Sequence, residues 1–94
     1  MTVERSYEGD VDDGDLPHGY GVMDYTVAGK AGARYRGNWR HGKKDGMGVQ
    51  VSHGTGVTFV GIWSNGRPDV GEFRFLDGTR RTGRWKGGEI PILD

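Results

Sequence analysis

The chain has no cysteine, and only three alanines, three leucines and three isoleucines in 94 residues. The missing thiols exclude a disulfide framework, a cysteine-ligated zinc and a thiol nucleophile, and they leave the redox compartment open. So little alanine and leucine gives poor material for long helices. Leucine, isoleucine, valine and phenylalanine together make 18 of the 94 residues, near the composition at which a chain buries too little to fold. No apolar run approaches the roughly 20 residues of a membrane span. The opening MTVERSYEGD is too acidic and polar for a secretory signal. An intracellular location is therefore expected, whether cytoplasmic, cytoskeletal or organellar.

What is abundant is glycine, 19 residues, alongside ten aromatics. Thirteen basic and thirteen acidic residues cancel, so the high net charge of a disordered chain is missing. The cancellation hides a separation. Residues 1–24 carry seven acids and one base, whereas residues 25–86 carry twelve bases and four acids. Such an asymmetry bears on partners more than the total does.

An internal repeat organises the sequence. Tyr7-Glu8-Gly9-Asp10-Val11 recurs as Tyr35-Arg36-Gly37-Asn38-Trp39, as Phe59-Val60-Gly61-Ile62-Trp63 and as Arg81-Thr82-Gly83-Arg84-Trp85, at spacings of 28, 24 and 22 residues. A glycine follows each copy after three residues: Gly14, Gly42, Gly66 and Gly88. A second motif follows as His18-Gly19-Tyr20-Gly21-Val22, as Asp45-Gly46-Met47-Gly48-Val49 and, degenerate, as Asp69-Val70-Gly71-Glu72-Phe73.

Aromatic-x-Gly-x-Trp places its three marked residues on one face at a period of two, which is strand periodicity. Asn65-Gly66 and Asp77-Gly78 are hairpin-turn dipeptides. Each unit thus reads as strand, turn, strand, turn. The expected fold is all-β: a single elongated, twisted antiparallel meander of stacked hairpins. A glycine inside a strand costs about 0.5–1 kcal/mol relative to alanine. Its recurrence in register with aromatics implies that a ring lies across a strand which has no Cβ at that point.

These residues resemble the MORN (membrane occupation and recognition nexus) repeat family, whose units look like YEGxWxxGxxHGxGxxxxxDG. The resemblance runs through Tyr7-Glu8-Gly9, Pro17-His18-Gly19-Tyr20-Gly21-Val22, Tyr35-Arg36-Gly37-Asn38-Trp39-Arg40-His41-Gly42-Lys43 and Asp77-Gly78. It covers about residues 7 to 88, as three and a half units. Val11 stands where the first unit would have tryptophan, and Asp45 and Asp69 stand where histidine is usual. The resemblance implies stacked hairpins with a groove lined by aromatics, and names no partner. The expected organisation is a lead-in at 1–6, a repeat domain at 7–88 (units 7–34, 35–58, 59–80 and 81–88) and an apolar tail at 89–94.

The groove or core is expected to contain Tyr35, Trp39, Phe59, Trp63, Phe75 and Trp85, with Tyr7, Val11, Met23, Tyr25, Phe73 and Arg81 on the same face. On the opposite face, acidic strands facing basic ones are expected to pair across the sheet. Phe59-Val60-Gly61-Ile62-Trp63 is apolar on both faces, so a cover is expected over Val60 and Ile62. The tail residues Ile90, Ile92 and Leu93 are the candidate cover, or else a contact for a partner.

Motifs for chemistry are weak. Gly37 to Lys44 satisfies the GxxxxGK spacing, but Lys44 takes the Ser/Thr position and the context is a hairpin turn. Asp10 to Asp15 resembles a calcium loop, yet Asp15 occupies the position that requires glycine. His18, His41 and His53 show no metal spacing. No nucleophile, base and orienting acid share a recognisable context, and no carboxylate pair sits in an apolar stretch. No enzyme activity, metal or cofactor is expected. Nucleic acid is not expected either, given the sequence pI of about 6.8 and the acidic first unit.

The function expected is a non-catalytic scaffold or protein interaction module, an accessory subunit of a larger assembly that binds through its aromatic groove, a sheet edge or the tail. Peripheral binding to anionic phospholipid is the alternative, through Arg36, Arg40, Lys43, Lys44, Arg80, Arg84 and Lys86. A regulatory segment of a larger enzyme is a second alternative. Self-association is a further expectation, through open edges or through the oppositely charged halves.

Overall fold

In the computed structural model, residues 3–84 are described. They form seven strands: β1 (Val3–Val11), β2 (Pro17–Val27), β3 (Lys30–Arg40), β4 (Lys43–Ser52), β5 (Val57–Ser64), β6 (Arg67–Arg74) and β7 (Arg80–Arg84). Each strand pairs antiparallel with the next, giving one open sheet in sequence order. The expected meander is what the chain adopts. No helix occurs among the described residues, as the shortage of alanine and leucine requires.

The turns follow residue chemistry in part. Asn65 (φ 50°) and Gly66 (φ 88°) make the two-residue link between β5 and β6, in the doubly left-handed conformation that matches the twist of paired strands. His41 (φ 44°) with Gly42, and Ala28 (φ 52°) with Gly29, make equally tight links, although histidine and alanine seldom announce one. At Asp77-Gly78 the carboxylate of Asp77 accepts from the backbone N–H of Thr79 at 2.9 Å and from its hydroxyl at 2.6 Å. These bonds hold the Asp77 carboxyl below its usual range.

Register arranges the sheet in rows. Gly9, Gly21, Gly37, Gly48, Gly61, Gly71 and Gly83 are successive partners, one from every strand. On one side of this row lie Tyr7, Met23, Tyr35, Gln50, Phe59, Phe73 and Arg81. The Tyr35 ring crosses to β4, where a Cβ on Gly48 would overlap its hydroxyl and ring carbons. Tyr7 stands in the same relation to Gly21.

The core is an aromatic ladder of Tyr35, Trp39, Phe59, Trp63 and Phe73, with Tyr7, Met23, Val57 and Phe75 packed against it. Its rings meet edge to face: Trp39 against Tyr7 at 5.6 Å and Tyr35 at 4.9 Å, and Trp63 against Tyr35 at 5.1 Å and Phe59 at 5.3 Å. This geometry adds to simple burial. Phenol and indole polar atoms are satisfied inside the ladder. Tyr35 donates to the carbonyl of Asn38 at 2.8 Å, Trp39 to that of Gly21 at 3.2 Å and Trp63 to that of Gly48 at 3.2 Å. Arg81 shares the row of Phe73 but is exposed, and Val11 is exposed as well, so neither joins the buried ladder.

Charge pairing across strands occurs, with Asp24 of β2 directly opposite Arg34 of β3. Asp24 pairs with Arg34 at 2.7 Å and Asp69 of β6 with Arg84 of β7 at 3.4 Å, while Glu72 pairs with Arg74 of its own strand at 2.6 Å. Glu8 of the acidic first unit lies opposite Val22. The apolar stretch around Val60 and Ile62 extends to Met47, Val49 and Val70 by register, with Ile62 39% and Met47 52% exposed. The tail considered as its cover lies outside the described residues.

Candidate functional groove

The aromatic face has no second layer among the described residues, yet its central rings are buried. Tyr35, Trp39, Phe59 and Trp63 form the buried floor. Phe75, the residue after β6, is half-buried and stacks on Phe73 at 6.5 Å. Trp85, the sixth residue expected in the groove or core, and Ile90, Ile92 and Leu93 lie outside the described residues, as does Lys86.

Over β4 to β6 the floor opens into a groove of about 450 Å³. Val57, Phe59, Trp63, Phe73 and Phe75 line it, and Lys44, Gln50 and Ser52 supply polar groups. Phe73 was placed on this face from sequence, whereas Val57 was not. Phe73 shares the parity of Phe75 and lies opposite Phe59.

Lys44 is the unexpected member. It is separated from Arg36, Arg40 and Lys43, which are exposed, and points into the aromatic face. Its Nζ lies 5.0 Å from the centre of the Tyr25 ring, 5.3 Å from Tyr35 and 5.2 Å from Trp63. It donates to Gln50 Oε1 at 2.6 Å. Burial lowers its pKa to about 8, because the desolvated ammonium is disfavoured against the neutral amine. Burial also raises the phenol of Tyr35, with the charge of Asp45 adding to the effect. The Tyr25 phenol is raised by burial as well.

Arg80 and Arg84, the other described bases considered for lipid, stand on β7. Arg80 lies 3.8 Å from Glu72, and Arg84 pairs with Asp69.

A second cluster forms where two turns meet. Candidate ligand atoms of Asp12, His18 and His41 all lie within 4.8 Å of one another, although 23 residues separate the two histidines. Sequence spacing did not reveal this, since it depends on the register of β2 with β3. The groups are engaged with one another. His41 Nδ1 and Asp12 Oδ2 are 2.7 Å apart, and the backbone N–H of His41 donates to His18 Nδ1 at 3.1 Å. Asp12 Oδ1 accepts from the backbone N–H of Gly14 and Leu16 at 2.8 and 3.0 Å. These bonds hold the Asp12 carboxyl below its usual range, with His41 the largest cause. The arrangement ties the β1–β2 turn to the β3–β4 turn.

Among the described residues no helix is long and apolar enough to cross a membrane. A family model described as the MORN repeat matches residues 7–27, 35–53 and 59–80, together about two-thirds of the chain.

Proposed function

The chain belongs to the MORN repeat family, and from that premise we propose that it is a non-catalytic interaction module which binds a protein partner in the groove over β4 to β6. MORN repeats are generally associated with protein-binding and membrane-binding modules, and the repeat itself is a non-enzymatic unit. The observation that carries the reading is the groove. It combines a rigid, fully packed aromatic floor with half-buried Val57 and Phe75 at its walls. Half-buried Val57 and Phe75, held on that fixed floor, offer apolar contact area at little entropic cost.

The phospholipid alternative has less support. Of the bases considered for it, Lys44 stands in the groove over three rings, while Arg80 and Arg84 have acidic partners. Tail docking and the role of an accessory subunit remain parts of the same proposal, with the tail as a second contact for the partner.

A photo-reactive phenylalanine analogue at position 75, compared with one at position 62 on the opposite face, tests the groove. Cross-linking in cells to one protein from position 75, and not from position 62, is the expected result. Adducts of lipid from position 75, or protein adducts only from position 62, would overturn it.

A further inference from the structure

We infer that the groove selects an apolar peptide segment carrying a carboxylate, which Lys44 binds as an ion pair. This rests on the groove reading above and adds the chemistry of the partner. The argument begins with hydrogen-bond capacity. An ammonium has three donors and no acceptor. Among the described residues Lys44 has one hydrogen-bond partner, the neutral Gln50 side chain, and no carboxylate within ion-pair distance. Asp45, its neighbour in sequence, is engaged elsewhere, accepting from the backbone N–H of Asn65 at 3.3 Å. A cation held beside three ring faces in a half-buried apolar groove is stabilised only in part by the rings. Its remaining donors have to be met by water or by an occupant.

The lining sets the other half of the occupant. Val57, Phe59, Trp63, Phe73 and Phe75 are apolar, so an anion with no apolar body would leave most of the groove wet. A cationic segment would face Lys44 with like charge. A short extended stretch of aliphatic or aromatic residues with one Asp, Glu or chain-terminal carboxylate satisfies both halves. A charged hydrogen bond formed away from bulk water is stronger than a neutral one.

The test uses the whole chain and two synthetic probes, acetyl-Leu-Pro-Glu-Leu-amide and its glutamine counterpart, titrated by NMR while the Trp63 indole and the Phe73 and Phe75 rings are followed. The expected result is binding of the glutamate peptide about tenfold tighter than the glutamine peptide. Lys44→Met, which keeps an apolar stem in place, should erase that difference while leaving the weaker affinity. Lys44→Arg should retain it. A well-dispersed amide spectrum for each variant establishes that it is folded. Equal affinity of the wild-type chain for both peptides would overturn the charge selection and leave the groove reading standing. If neither peptide moves the Trp63, Phe73 or Phe75 signals of the folded chain, both readings fall. Loss of binding to phosphatidylserine vesicles in Lys44→Met, with no difference between the peptides, would overturn the peptide assignment in favour of a membrane.

Discussion

Trp63 donates its indole N–H to the carbonyl of Gly48, a residue of the preceding repeat, at 3.2 Å. Trp39 makes the equivalent bond back to Gly21. Each tryptophan therefore holds its own repeat and the one before it, and wedges edge-on between two rings of the ladder. Consecutive hairpins are coupled by these tryptophans as well as by backbone pairing.

Replacing Trp63 separates the two contributions. Trp63→Phe keeps a ring but loses the indole N–H, at a cost of about 1 kcal/mol from the hydrogen bond alone. Trp63→Ala also opens a cavity under the groove and should cost about 3–5 kcal/mol. Urea denaturation followed by far-ultraviolet circular dichroism measures both. An alanine variant no less stable than the phenylalanine variant would contradict the ladder as the source of cohesion.

The glycine row is tested at Gly48. An added Cβ there would overlap the Tyr35 ring, which the buried ladder gives no room to move. Gly48→Ala should cost about 1–3 kcal/mol. Gly54 has nothing within 4 Å of its would-be Cβ, so Gly54→Ala should leave the melting temperature nearly unchanged. Similar effects at the two positions would show that glycine serves only chain flexibility.

Lys44 gives stability a pH dependence of known sign. Its folded pKa of about 8 is below the ordinary lysine value of 10.5, so between these values the unfolded chain binds more protons. Stability then rises with pH, by at most about 1.4 kcal/mol per pH unit from this one group. The raised phenol of Tyr35 acts oppositely above its ordinary value of 10.0, because the folded chain then holds the proton longer. Denaturation midpoints from pH 8 to pH 10 should climb in the wild type and stay flatter in Lys44→Met. A decline in both would mean that Lys44 is solvated.

The turn tie is expected to show in acid. Asp12 has a folded pKa below the ordinary aspartate value of 3.8, so its contribution is present above that value and is lost as pH falls through the folded one. Asp12→Asn should therefore flatten part of the acid loss below about pH 4. His41→Ala should act in the same direction, since His41 is the largest cause of the shift. Acid profiles identical to the wild type in both variants would remove the tie.

The repeat, the meander and most of the ladder were legible because one pattern, aromatic-x-Gly-x-Trp, fixes periodicity, face and close approach together. Tyr35, Trp39, Phe59 and Trp63 could be placed from it alone. Lys44 looked like part of a basic run beside Lys43, yet its spacing of four from Gly48 puts it on the glycine and groove face. Parity contained the answer, and residue type concealed it. Asp12, His18 and His41 were illegible for a different reason. Their meeting depends on two turns and on a register shift near Gly9 and Val11, and no local pattern carries these. The left-handed Ala28 and His41 were hidden because the following glycines, Gly29 and Gly42, relieve only half of each turn.

The seven glycines that meet across the strands leave one straight line, running the width of the sheet, where the backbone carries no side chains. Along that line the sheet is at its thinnest and resists bending least, so curvature should concentrate there as a crease. The aromatic rings sit beside the crease on its inner side, and a small change in its angle would widen or narrow the groove along its whole length at once. Aperture would then be a property of the sheet as a whole rather than of any single side chain.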